Sequence, residues 1–357
     1  MKAWKLSAVV LALVLLVGTA LPALAQDGAP INPGGPFVPP NANNNGAALM
    51  TFADVEKELF ALEARSKGVM ELDIAGYTLE GRPLYIAKMG HGPQRMWIQG
   101  RIHGNEPLGN DVCIEIIKSL LSSDKTLLDK MTFWIIPSYN PDGGEHFWRW
   151  NATGSAPNPR DRVDLNRNWY REPEDGPPPS YSEPESRAFY AAWAEFKPHY
   201  AIDIHHQGTY FVEGTNDMTT FSIGIPVWPE YLDPWVWDTN RRMAVTGYDA
   251  VSKLGFCNPS RYPNINIRNA VVSSMMLDNP GPDGTTTGWK TAAMFFENRG
   301  GIGNRSRGYI IQQNVVATHA IINAITDGTL DSVDADRWDT IPYRPESIND
   351  DDKWPNR

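Results

Sequence analysis

MWIQGRIHGNEPLGND, Met96 to Asp111, runs from an apolar stretch through a glycine-flanked turn into the start of a second apolar pattern. Met96 to Gly100 shows no polar alternation, as expected of a strand covered on both faces. Beyond the turn, Val112, Ile116, Ile117, Leu120 and Leu121 fall on one face of a helix. Between them stand His103 and Glu106, three positions apart, with Gly104 and Pro107 favouring a tight bend over a regular helix. Residues three apart can face the same way, so the pair can offer two ligands to a metal. Taken alone, the same pair reads as two polar residues in a surface turn.

Other apolar runs settle the context. Leu84–Met89, Phe133–Pro137, Tyr200–Ile204 and Ala292–Phe296 read as further strands. Helical patterns lie between them: Thr51 to about Ser66, a helix opened by Pro184, and Tyr309–Ile325. No internal repeat is present. Strands alternating with helices imply an α/β fold, with a largely parallel or mixed sheet covered on both faces. Each candidate polar group sits at or just past the end of a run. His103 and Glu106 follow Met96–Gly100, Asn140-Pro141-Asp142-Gly143 follows Phe133–Pro137, His205 follows Tyr200–Ile204, and Glu297 ends Ala292–Phe296. In open α/β sheets ligands bind beyond the carboxyl ends of the strands. Such side chains avoid interiors unless paired or metal-bound.

The chain has 357 residues, 41% of them hydrophobic, and 13 tryptophans, which is ample for a large core. Residues 1–25 read as a secretory signal peptide: Lys2 and Lys5, an apolar run, then Ala23-Leu24-Ala25. The run is short for a membrane span, so the expected location is secreted or periplasmic, with no membrane association after cleavage. Residues 26–50 are Pro-, Gly- and Asn-rich and read as a flexible arm. The catalytic domain is expected over residues 51–328, followed by an acidic extension over 329–357 read as loose. A formal charge of −10 argues against nucleic acid as a partner. The two cysteines, Cys113 and Cys257, fit one disulfide or two buried thiols equally well. The oligomeric state is not legible.

A catalytic zinc takes three protein ligands, commonly two histidines and a glutamate, and keeps a position open. His205 is the best third ligand after His103 and Glu106. His206 would point to the opposite face of an extended segment. A base to activate water would be Glu297, set among Phe295 and Phe296 where burial raises a carboxyl pKa. Arg149 is a candidate cation. Asp164, Asn166 and Arg167 fit either a carboxylate-binding group or a polar loop held by Asx turns.

The order of GRIHGNEPLGN, SYNPDG, WRWN, VDLNRNW, IDIHH and FFENRG resembles the zinc carboxypeptidases of the carboxypeptidase A-like family, over roughly Ala53 to Ile325. The resemblance implies a mixed, roughly eight-stranded twisted sheet with helices on both faces. It implies one zinc ion on His103, Glu106 and His205, with Asp164 orienting His103. It implies Glu297 as general base, Arg149 at the oxyanion, and Asn166 and Arg167 gripping the free C-terminal carboxylate of a peptide substrate. The family's mobile tyrosine has no counterpart in residues 270–290, and Tyr262 lies further back. The side-chain pocket falls in the same divergent stretch, so specificity does not carry over. Arg299 can bind substrate or pair with an acid. Three other functions remain open: cleavage of cell-wall stem peptides, an N-acyl amino acid hydrolase of the desuccinylase/aspartoacylase type, and a non-catalytic binding protein on the same scaffold.

Overall fold

A computed structural model describes residues 49–122, 126–152, 162–172, 176–208, 210–255, 257–299 and 307–345. The signal peptide, all but two residues of the arm and the last twelve residues lie outside these. No described helix is long and apolar enough to cross a membrane.

The first described helix, α1 (Phe52–Ser66), starts at a reciprocal cap in which Thr51 and Asp54 satisfy one another's backbone N–H groups. Four apolar side chains at helical spacing, Phe52, Val55, Leu59 and Leu62, are its buried face. Eight strands then form one sheet: β1 (Met70–Tyr77), β2 (Pro83–Met89), β3 (Gln94–Gly100), β4 (Met131–Ile136), β5 (Tyr200–Gln207), β6 (Phe221–Gly224), β7 (Pro259–Arg261) and β8 (Ala292–Arg299). Their order is β1-β2-β4-β3-β5-β8-β6-β7. The central strands β4, β3, β5 and β8 are parallel. Antiparallel pairs join β2 to β4 and β6 to β8, so the sheet is mixed. All five apolar runs read from the sequence are strands. The chain continues into α2 (Leu108–Ser122) after β3, the short α3 (Thr126–Lys130) before β4, and α4 (Pro141–His146) after it. Further on come α5 (Pro184–Phe196), α6 (Pro234–Ser252), α7 (Val271–Leu277) and α8 (Arg307–Thr326).

Helices α1, α2, α8 and α6 pack in succession against one another. On the other side, α5 sets Phe189 edge-on against Trp97 of β3 and stacks Phe196 on Trp134 of β4, ring centroids 4.4 Å apart. Trp97, Phe133, Phe189 and Trp193 are almost wholly buried, which places the core on β3 and β4 and on their helices.

Several elements are not read from the sequence, among them β1, β6, β7 and α6. β6 and β7 hold four and three residues, too few for a period to show. α6 is missing from the helices expected above, although Asp233 caps it and Pro234 stands at its first position. The described part of the acidic extension, residues 329–345, is not loose. Trp338 and Ile341 are buried. The Arg261 N–H donates to the Pro342 carbonyl at 2.7 Å, and the Arg344 N–H donates to the Arg261 carbonyl at 2.9 Å.

Candidate metal centre

The turn after β3 is built on close backbone approach. A side chain on Gly100 would lie 2.6 Å from the Gly109 carbonyl oxygen, so the first turn of α2 rests directly on the strand end. A side chain on Gly104 would lie 2.0 Å from the Gly143 carbonyl carbon, so the turn also rests on α4. Arg101, in the left-handed region at φ 57°, donates from its buried guanidinium to the Gly104 and Gly144 carbonyls. Asn140 caps α4 by accepting from the Gly143 N–H, and donates from Nδ2 to the Ile102 carbonyl at 3.2 Å. Thus Asn140-Pro141-Asp142-Gly143 clamps the turn. Asp142 looks elsewhere, accepting from Thr78, the Glu80 N–H and Arg82.

His103 and Glu106 hang from this turn, and His205 sits on the neighbouring strand. Gly100 of β3 pairs with Ile204 of β5. One ligand atom from each of His103, Glu106 and His205 lies within 4.8 Å of the others. His103 Nδ1 is 2.8 Å from Glu106 Oε1, His205 Nδ1 is 3.1 Å from Glu106 Oε2, and the two Nδ1 atoms are 3.2 Å apart. Two ring nitrogens so close, both turned on one buried carboxylate, converge on a single point. Burial opposes charge on Glu106, yet the two rings hold its carboxyl well below the usual range. Two nitrogens and a carboxylate suit a zinc-like dication, so this set could hold one.

Each outer ring nitrogen faces a carboxylate, but only that of His205 is hydrogen-bonded. His205 Nε2 lies 2.8 Å from Oδ2 of Asp203, which is fully buried. His103 Nε2 has a longer contact, 3.4 Å, with Asp164 Oδ1. Asp164 also accepts from the Asn166 N–H and from Arg149, at 3.1 Å to Nε. Burial works against ionised Asp164, but Arg149 and His103 prevail and hold its carboxyl well below the usual range. The sequence reading missed Asp203. Its signal was the spacing in IDIHH, where residues two apart on a strand share a face. By the same rule His206 departs from His205; its backbone N–H donates to Glu106 Oε2 at 3.2 Å.

Glu297 stands opposite His205 in the β5–β8 register. Its Oε2 is buried with no hydrogen-bond partner among the described residues. Burial pushes its carboxyl up to about 7; His205 opposes this and Glu106 adds to it. Arg149 Nη1 lies 3.7 Å from Glu106 Oε1, which places this guanidinium beside the cluster. Asn166 Oδ1 accepts from the Val271 N–H at the start of α7, leaving its Nδ2 to donate. Arg167 donates to the Asn166 carbonyl at 2.6 Å. All eight residues singled out from the sequence therefore surround one place.

Two further residues reach this place from outside the expected set. The Tyr262 ring packs edge-on against Phe295 at 4.9 Å, and Phe295 against His205 at 6.2 Å. Burial, then the charge of Glu297, push the Tyr262 hydroxyl up to about 12. Arg344 lies over the Tyr262 ring at 3.9 Å. Among the described residues Arg299 pairs with no acid, and its guanidinium nitrogens are buried without a hydrogen-bond partner. Cys113 and Cys257 are free and buried.

Residues 55–220 match the family model for zinc carboxypeptidase. Carboxypeptidase 2 of Trichophyton tonsurans is 35% identical over 123 residues, which is 34% of this chain and 20% of that protein. Human Carboxypeptidase A6 is 30% identical over 132 residues, 32% of this chain and 30% of that protein. The chain thus aligns with well under two thirds of either relative. Among solved structures, carboxypeptidase A from Helicoverpa armigera superposes with a TM-score of 0.60 at 16% identity, covering 77% of this chain and 74% of that one. Thrombin activatable fibrinolysis inhibitor superposes with a TM-score of 0.62 at 17% identity, covering 79% and 76%. Residues 55–220 are thus similar to the zinc carboxypeptidases, and the eight-stranded mixed sheet has the fold of these solved carboxypeptidase-like structures.

Proposed function

We propose that this chain is an exported zinc metallocarboxypeptidase that hydrolyses the C-terminal bond of peptides. The observation that carries the reading is the convergence of His103, Glu106 and His205, with Glu297, whose Oε2 has no partner among the described residues, opposite His205 in the β5–β8 register. These three residues would hold the ion, and Asp203 and Asp164 would fix their rings. Zinc bound there would supply Lewis acidity, acidifying a water and polarising the scissile carbonyl.

The protein's own groups do the rest. Glu297 takes a proton from the attacking water and passes it to the leaving amine, so it ends the cycle as it began. Its position among apolar neighbours keeps it basic enough for the first transfer and acidic enough for the second. Arg149, itself anchored by Asp164, presents positive charge where the oxyanion forms. Asn166 Nδ2 and the Arg167 guanidinium bind the terminal carboxylate by charge-assisted hydrogen bonds.

The test is a peptide panel incubated with the mature protein, with and without a zinc chelator, with products followed by mass. Stepwise loss of C-terminal residues, stopped by the chelator and restored by zinc, is the expected result. Glu297→Gln should abolish turnover and keep the metal. Cleavage of acyl-amino acids with peptides untouched would replace this reading with the desuccinylase type. No turnover by a metal-free protein would leave a binding protein.

A further inference from the structure

Arg344 belongs to the C-terminal segment, outside the residues that match the family model. A parallel bridge between Arg261 and Tyr343 and the two flanking backbone hydrogen bonds carry it to the end of β7. Its side chain is buried, 5% exposed, between two aromatic rings: 3.7 Å from the Tyr210 centroid and 3.9 Å from that of Tyr262. Its Nε is buried without a partner, and it pairs with no acid among the described residues. A buried cation in that position is costly. Ring faces offset part of the cost, and a carboxylate would offset the rest.

The surroundings say where that carboxylate would come from. Tyr262 rests on Phe295, two residues before Glu297 on the same face of β8. Phe295 in turn packs on the neighbouring strand β6, for a side chain on Gly224 would lie 2.0 Å from its ring. Arg344 acts electrostatically on Glu297, and Tyr262 acts on both Glu297 and Arg167. The Arg344 guanidinium therefore lies over Tyr262, within electrostatic range of the base, while Tyr262 is also within electrostatic range of Arg167. A substrate end with one carboxylate can satisfy only one of these two guanidiniums.

We infer that Arg344, held between Tyr210 and Tyr262, binds the side-chain carboxylate of a dicarboxylic C-terminal residue, so that acidic ends are preferred over neutral and basic ones. The inference rests on the carboxypeptidase reading above and specifies the substrate of that same site. A charged hydrogen bond in a desolvated pocket discriminates by roughly 10–100-fold. Arg344 is a specificity residue here and takes no part in the proton transfers.

The test compares kcat/KM for peptides identical except for the last residue: glutamate, glutamine, leucine and lysine, with meso-diaminopimelate as a separate arm because it too carries a second carboxylate. Glutamate or diaminopimelate should exceed the others by at least about tenfold, and the better of the two identifies the source. Arg344→Met should erase that preference, bringing the glutamate-to-glutamine ratio of kcat/KM toward one. A uniform fall for all ends would mean that Arg344 only supports Glu297, and would overturn the inference. As a check that needs no Arg344 variant to fold, Glu297→Gln should bind Gly-Glu about tenfold or more tighter than Gly-Gln by calorimetry. Equal affinities overturn the inference. Peptide cleavage without acidic preference overturns it and leaves the carboxypeptidase reading intact. No cleavage of any peptide overturns both.

Discussion

Replacing Asp203 by Asn probes the one ligand support that the sequence reading missed. Asp203 is fully buried, and its Oδ2 lies 2.8 Å from His205 Nε2. A charged hydrogen bond of this kind contributes about 1.5–3 kcal/mol, roughly 10–150-fold in an equilibrium constant. Asn keeps an oxygen that can accept from the ring and loses only the charge, so the expected loss of metal affinity at alkaline pH is near the lower end, about tenfold. The pH dependence gives a second signature. Burial lowers the His205 pKa, but Asp203 and Glu106 outweigh it and hold the metal-free ring well above its ordinary value. Below that raised pKa a proton competes for the ligand position, and apparent affinity falls about tenfold per pH unit. Removing the Asp203 charge lowers the ring's pKa, so proton competition in the variant begins at more acid pH. The gap between wild type and variant should be widest at alkaline pH and should close on acidification. Competition against a chromophoric chelator across mildly acid to mildly alkaline pH measures both curves. Parallel curves, or equal affinities at alkaline pH in a folded variant, would refute the role of Asp203.

Three other outcomes are expected. Glu297 must be ionised to accept a proton, and burial pushes its carboxyl up to about 7 without metal; a bound dication pulls it lower. The kcat/KM profile should therefore lose activity as pH falls through a value at or below that figure, and a rate that rises on acidification would remove Glu297 as the base. Gly104→Ala places a methyl 2.0 Å from the Gly143 backbone and should cost about 1–3 kcal/mol, with weakened metal binding, read by thermal melting and chelator competition. An unchanged melt would mean that the turn does not rest on α4. Trp338→Ala removes a side chain that is 2% exposed, and should cost about 3–5 kcal/mol in denaturant unfolding. A loss under about 1 kcal/mol would return the C-terminal segment to the status of a loose tail.

The sequence by itself determined the central part of the molecule. Five apolar runs became β2, β3, β4, β5 and β8, because strands buried on both faces must be apolar throughout. The polar residues after those runs were conspicuous for the same reason, and this marked His103, Glu106, His205 and Glu297 before any contact was known. Short edge strands left no such mark. β7 has three residues and is held by its neighbours, including the Pro342 carbonyl from the far end of the chain. Only the tertiary structure decided which outer groups join the centre. Asp203 does so because strand pleating returns it to the face of His205. Arg344 does so because backbone pairing with Arg261 carries a remote segment to the rings of Tyr210 and Tyr262. Periodicity records burial along a single element, whereas a contact between residues far apart in sequence depends on how elements pack, and no local pattern encodes that.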